Sequence, residues 1–119
     1  MSTKTTTELA VAVLRHLSVI DASQDENDAD AEDIAYIQSL YADKFEELND
    51  MELTYWSSDE VPAPIFLAIR DIIANEARGN YGEPMSVDAK EAAEIILLKK
   101  VRRHMHLRSS GLPTKAQYF

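Results

Sequence analysis

Apolar positions along this chain recur mainly at three- and four-residue spacing, the period of helices that bury one side. Leu9, Val13, Leu14 and Leu17 form the first such stripe, and Thr5 with Glu8 has the spacing of a capping box, so a short helix is predicted over 5–18. Ile34, Ile37, Tyr41, Leu48 and Met51 form the second, with Phe45 beside them, and predict a long helix over 28–51. Between the two, DASQDENDADAED is too acidic to bury and reads as a loop whose last carboxylates favour the start of the second helix. Glu52 to Trp56 (ELTYW) has β-branched and aromatic character over five residues, which predicts a small strand or an extended connector, with Trp56 at the edge of the core.

Pro62 and Pro64 announce a third helix over 63–78, because a first turn tolerates residues without an amide hydrogen. Ile65, Phe66, Ile69, Ile72 and Ile73 share its buried face, Arg70 and Asp71 fall outside it, and Gly79 to Gly82 supplies the stop. Ser86 as N-cap, Asp88 in the first turn and bases at the end define a fourth helix over 86–107. After Arg108 the composition changes: SSGLPTKAQYF contains a Gly and a Pro that oppose helix and ends in two aromatics. The expected architecture is an all-α, four-helix domain over 1–108 followed by an extended tail over 109–119.

Length and composition fit this picture. One domain is expected from 119 residues, of which 45% are hydrophobic and 28% charged. Cysteine is absent, which excludes disulfides, thiolate metal sites and cysteine nucleophiles. No apolar run reaches the roughly 18 residues needed to span a bilayer, and the first residues lack a continuous signal-type core, so a protein of the cytoplasm with no membrane partner is expected.

Charge changes the picture more. The net charge of -9 argues against a domain held on duplex DNA by phosphate contacts. The signs also separate: residues 21–60 hold 14 acids and Lys44 as their one base, whereas residues 99–119 hold Lys99, Lys100, Arg102, Arg103, Arg108 and Lys115 with no acid. Such a dipolar chain suits head-to-tail contact between copies, although a solvated acidic face and a helix with a basic end would read the same way.

Candidate chemistry is thin. The run Asp25 to Asp33 is rich in carboxylates, yet counting from Asp28 the sixth and twelfth positions hold Asp33 and Ser39 where a calcium loop needs Gly and a bidentate acid. His104 and His106 stand about 200° apart on a helix and cannot grip one metal, and His16 is isolated in the sequence. No nucleophile elbow, phosphate loop or metalloprotease pattern occurs, and the pairs of acids on the second helix have no setting that would raise a pKa. No catalytic, cofactor-binding or metal-ligating residue is assigned. A basic fourth helix that contacts DNA or an acidic partner, as in a small regulator, is the alternative function.

The order of these elements supplies a resemblance. The helix ELAVAVLRHLSVIDASQ, the acidic second helix, the LTYW connector, the helix VPAPIFLAIRDIIANEARGNYG and the ending LPTKAQYF together resemble the head-to-tail connector, or adaptor, proteins of tailed double-stranded DNA bacteriophages, including the tail accessory factors of short-tailed phages. Nearly the whole chain is covered, by weak motifs: an ALR-like first helix, a Pro-initiated apolar helix ended by Tyr-Gly, and a terminal Pro-Thr-x-x-x-Tyr-Phe. The resemblance implies a homo-oligomer, commonly a dodecameric ring, under the portal protein, which extends the DNA channel and receives the next tail component. It implies a virion location at the head–tail interface after assembly in the host cytoplasm, with double-stranded DNA passing through without specific binding. It also implies that the C-terminal segment reaches out to the portal, here with Leu112, Pro113, Tyr118 and Phe119 as anchors, while the separation of charge puts portal or subunit contact on the basic fourth helix at Lys99, Arg102, Arg103 and Arg108. Many relatives are longer, so contacts made by their additions do not carry over.

Overall fold

The computed structural model describes residues 2–20, 29–82 and 84–110, with the side chains of 106–110 excepted. Its elements in chain order are a strand β1 (Thr3–Thr5), helices α1 (Thr6–His16) and α2 (Ala31–Asp50), a strand β2 (Glu60–Pro62), helix α3 (Ala63–Ala77), a 3-10 turn (Arg78–Tyr81) and helix α4 (Val87–Ser110). Four helices dominate, as the spacing predicts. The expected all-α class is modified by a small antiparallel pair, in which Thr3 opposes Pro62, Lys4 opposes Val61 and Thr5 opposes Glu60. Three residues on each side give no alternating run long enough to show in sequence.

Helix α3 is central because its apolar face is the widest. Ile65, Phe66, Ala68, Ile69, Ile72, Ile73, Ala74 and Ala77 are all buried, while Arg70 and Asp71 sit outside the core and bond each other at 2.8 Å. Leu9, Val13 and Leu14 of α1 and Ile37, Tyr41 and Leu48 of α2 close over it. Ala93, Leu97 and Val101 of α4, spaced four residues apart, complete the core from the other side.

The starts of the helices follow the sequence signals. Thr5 accepts a hydrogen bond from the Glu8 amide at 3.1 Å and the Glu8 carboxylate accepts from the Thr5 amide at 3.0 Å, the expected capping box. Ser86 Oγ accepts from the Ala89 amide at 3.1 Å and caps α4. Helix α2 begins at Ala31 rather than near residue 28, because Asp30 takes the cap position and its carboxylate accepts from the Glu32 amide at 2.8 Å.

The ends depart from expectation for one shared reason. Ser18 (φ 62°) and Glu52 (φ 59°) take the left-handed conformation that usually goes to glycine. Around Ser18 the Val19 amide donates to the Leu14 carbonyl and the Ser18 amide to that of Arg15; around Glu52 the Leu53 amide donates to Leu48 and the Glu52 amide to Asn49. These paired bonds form the Schellman closure, so α1 ends at His16 and α2 at Asp50 with no glycine to announce either stop. Met51, placed on the buried side by spacing, lies in this closure and is 56% exposed. The 52–56 connector is not a strand; the strand comes later, at Glu60–Pro62. Helix α4 continues past the expected limit at 107 and includes Ser109 and Ser110, the first two residues of the expected tail. Residues 111–119 lie outside the described part.

Candidate assembly surface

Burial of Ala93, Leu97 and Val101 against α3 fixes the rotation of α4 and turns the remaining face outward. That face presents Ala92, Ile95, Ile96, Lys99, Lys100, Arg102 and Arg103, all exposed, with Ile95 at 51% and Ile96 at 46%. Two exposed isoleucines thus adjoin a cluster of four bases. Among the described residues Lys99, Arg102 and Arg103 make no ion pair.

Helix α2 is the electrostatic opposite. Its outward face carries Glu32, Asp43, Glu46 and Asp50, interspersed with Ala35, Ser39 and Ala42, all exposed. The one base of the segment is withdrawn from that face: the Lys44 side chain is 4% exposed and turned into the molecule. Its Nζ lies 3.3 Å from Glu76 on α3, 3.4 Å from Glu47 on α2 and 3.9 Å from Glu94 on α4, so one ammonium ties three helices together. Burial alone would pull the Lys44 pKa down, but the carboxylates of Glu76 and Glu47 outweigh it, by charge and by hydrogen bonding, and the net shift is upward. With Lys44 neutralised internally, the outward face of α2 is left uniformly acidic.

Beside this cluster α2 and α4 do not touch backbone to backbone. A groove of about 170 Å³ opens between them, walled by Leu48, Met51, Leu53, Leu97 and Leu98, floored by Ile72, and edged by Lys44, Glu47 and Glu94. Beyond the groove the connector crosses to α4 through Tyr55, whose ring stacks on His104 with centroids 3.6 Å apart and planes at 11°. Trp56 sits half-buried at the core edge, as its position in the sequence suggests, and donates from Nε1 to the Tyr41 hydroxyl at 3.0 Å. Phe45 and Tyr55 pack edge-on against Trp56. Burial pushes the Tyr41 and Tyr55 phenols up. At the opposite end of α2, Tyr81 donates its hydroxyl to Asp33 at 2.8 Å; burial and that bond hold its phenol well above the usual range.

The residues singled out from sequence divide into two groups. Lys99, Arg102 and Arg103 share the outward part of α4. Arg108 lies within the helical backbone with its side chain outside the described part, and Leu112, Pro113, Tyr118 and Phe119 are outside it altogether. The sequence reading missed the exposure of Ile95 and Ile96, which requires knowing the helix rotation, and the internal partners of Lys44, which come from helices far apart in sequence. The first has a local signal in hindsight: Ile95, Ile96, Leu97 and Leu98 are consecutive, and a helix cannot bury four successive residues on one side.

Among the described residues no group of three or more potential ligands could hold a metal ion. His16 has the Asp71 carboxylate at 3.9 Å, with both side chains over a third exposed, an open position without the enclosure that an acid–base pair needs. No described helix is long and apolar enough to cross a membrane. Comparison with protein-family models, curated proteins and solved structures yields no match to this chain.

Proposed function

We propose that the chain is a structural subunit that assembles head to tail with its own copies into a ring, as the adaptor between portal and tail of a tailed bacteriophage. The observation that carries the reading is the pairing of two different outward faces on one subunit: exposed Ile95 and Ile96 beside Lys99, Arg102 and Arg103 on α4, and the carboxylates of Asp43, Glu46 and Asp50 on α2. A ring needs such unlike faces, because each subunit must offer its neighbour a surface that differs from the one it receives. Opposite charge sets the register of the contact and speeds encounter, while the two isoleucines supply apolar area. The phage setting rests on the sequence resemblance, which also brings the portal protein and the downstream tail component as partners and a virion location. Carboxylates left facing the lumen would repel DNA phosphates over a Debye length of about 8 Å at physiological salt, so the polymer is guided without being bound.

The test is charge reversal with rescue. Arg102→Glu with Arg103→Glu should leave the subunit folded by circular dichroism but hinder its incorporation into particles. A second copy carrying Asp43→Lys, Glu46→Lys and Asp50→Lys should restore mixed assembly. Unimpaired incorporation of the first variant overturns the proposed contact, and salt-sensitive binding of the free protein to duplex DNA would favour the regulator reading instead.

A further inference from the structure

The groove between α2 and α4 is walled by Leu48, Met51, Leu53, Leu97 and Leu98 over Ile72, and Met51 at its mouth is 56% exposed. Its volume of about 170 Å³ exceeds the roughly 150 Å³ in which a dry cavity admits benzene, so the smaller side chain of an isoleucine fits inside it. The edge is negative. Lys44 supplies one ammonium there, 3.4 Å from Glu47 and 3.9 Å from Glu94, and shares it with Glu76 on α3. Asp43 and Asp50, both exposed, lie one turn to either side of Glu47 and extend the negative edge along α2. The groove therefore suits an apolar side chain with cations beside it.

We propose that the groove is a socket for Ile96 of a second copy of this chain, with Lys100 and Arg103 of that copy lying along its acidic edge. Ile96 is 46% exposed, and Lys99, Lys100 and Arg103 follow it at i+3, i+4 and i+7, so all four share one exposed stripe of α4. Lys100 and Arg103 are separated by about 4.5 Å along their helix axis, the same rise that separates Glu47 and Asp50 on α2. Placement on α4 decides where Ile96 goes. Leu98 forms part of the groove wall, and Ile96, two residues before it, points about 200° away round the helix, so a subunit's own Ile96 faces away from its own groove. Ile95 is three residues from Leu98 and stands beside that wall, which makes Ile96 the side chain to be donated. A socket and an inserting side chain on opposite flanks of one helix give a heterologous contact, in which each copy donates Ile96 to one neighbour and receives it from another. The contact rests on the head-to-tail reading proposed above and gives that reading an apolar anchor, with the charges setting register and encounter and the desolvated isoleucine holding the pair together.

A cysteine-free chain makes the experiment direct. Full-length Ile96→Cys carrying an affinity tag is mixed with untagged Met51→Cys and oxidised, and disulfide-linked products are separated by size; both positions are exposed, and circular dichroism checks that each variant is folded. The expected result is a tagged–untagged dimer from the mixture, little product from either variant alone, and a ladder of dimers, trimers and larger species from the double variant Met51→Cys/Ile96→Cys. Adding Arg103→Glu to the Ile96→Cys copy should reduce the yield of the mixed dimer. Dimer from Met51→Cys alone in the same yield as from the mixture would mark a twofold pairing of grooves and overturn the proposal. A parallel mixture of Arg102→Cys with Glu46→Cys, joined by a longer bismaleimide, reports the charge contact by itself. Product from that pair without product from Ile96→Cys and Met51→Cys would overturn the socket and leave head-to-tail assembly standing, whereas no product from either pair would overturn both.

Discussion

Replacing Lys44 by Met removes the charge that joins α2, α3 and α4 while keeping a side chain of similar length in the space it fills. At an effective dielectric of about 20, a unit pair at the 3.3 Å separating Lys44 and Glu76 attracts by about 5 kcal/mol. Burying the ammonium costs several kcal/mol of that, and Glu47 and Glu94, both more than a third exposed, add little after solvent screening. What remains is a net loss of about 2 kcal/mol on substitution, with three carboxylates left facing one another. In a domain of this size that lowers Tm by roughly 8 °C. Because the folded-state pKa of Lys44 is raised above its unfolded value, its contribution is fully present below about pH 10.4 and disappears as pH rises through the folded value. Urea unfolding of wild type and Lys44→Met at pH 7 and pH 11.5 therefore gives a large difference at the first and a reduced one at the second. Equal stability within about 0.5 kcal/mol at pH 7 would refute the view that the cluster holds the helices together.

Substituting glycine for Ser18 or for Glu52, both held in the left-handed region, should stabilise by about 0.5–1 kcal/mol each, read as a higher Tm; the relieved strain is partly offset by the freer unfolded chain. Tyr41→Phe leaves the Trp56 indole without its acceptor and should cost about 1 kcal/mol, with a change in the fluorescence of the chain's one tryptophan. Thr5→Ala removes the α1 cap and should cost about 1 kcal/mol in thermal unfolding. The Glu8 carboxyl is held below its usual range chiefly by the hydrogen bond from the Thr5 amide, so its share of stability exists above the unfolded pKa and fades as pH falls through the folded one. Wild type and Glu8→Gln should accordingly converge in stability toward pH 3.

The helices were legible because each is bound to a repeating apolar face and a polar start signal. Ile65, Phe66, Ile69, Ile72 and Ile73 form the core of α3 where the spacing places them, and Thr5 and Ser86 cap the helices they precede. Helix ends were less legible, since Ser18 and Glu52 take a backbone conformation that composition assigns to glycine, and packing of Val19 and Leu53 supports them there. The β1–β2 pair depends on contact between residues about 57 apart with no pattern of their own. The candidate surface was legible in sign, from the separation of acids and bases along the chain, but not in layout: withdrawal of Lys44 and exposure of Ile95 and Ile96 follow from how α4 rotates on α3.

The central claim is that copies of this chain form a closed ring between portal and tail. Imaging of purified particles with the chain carrying a small electron-dense tag at an exposed position outside both faces, such as Asn80, tests it most directly. A ring of tagged density at the vertex where the tail joins the capsid is the predicted result. Tag spread over the capsid shell, or absent from particles that are otherwise complete, would contradict it.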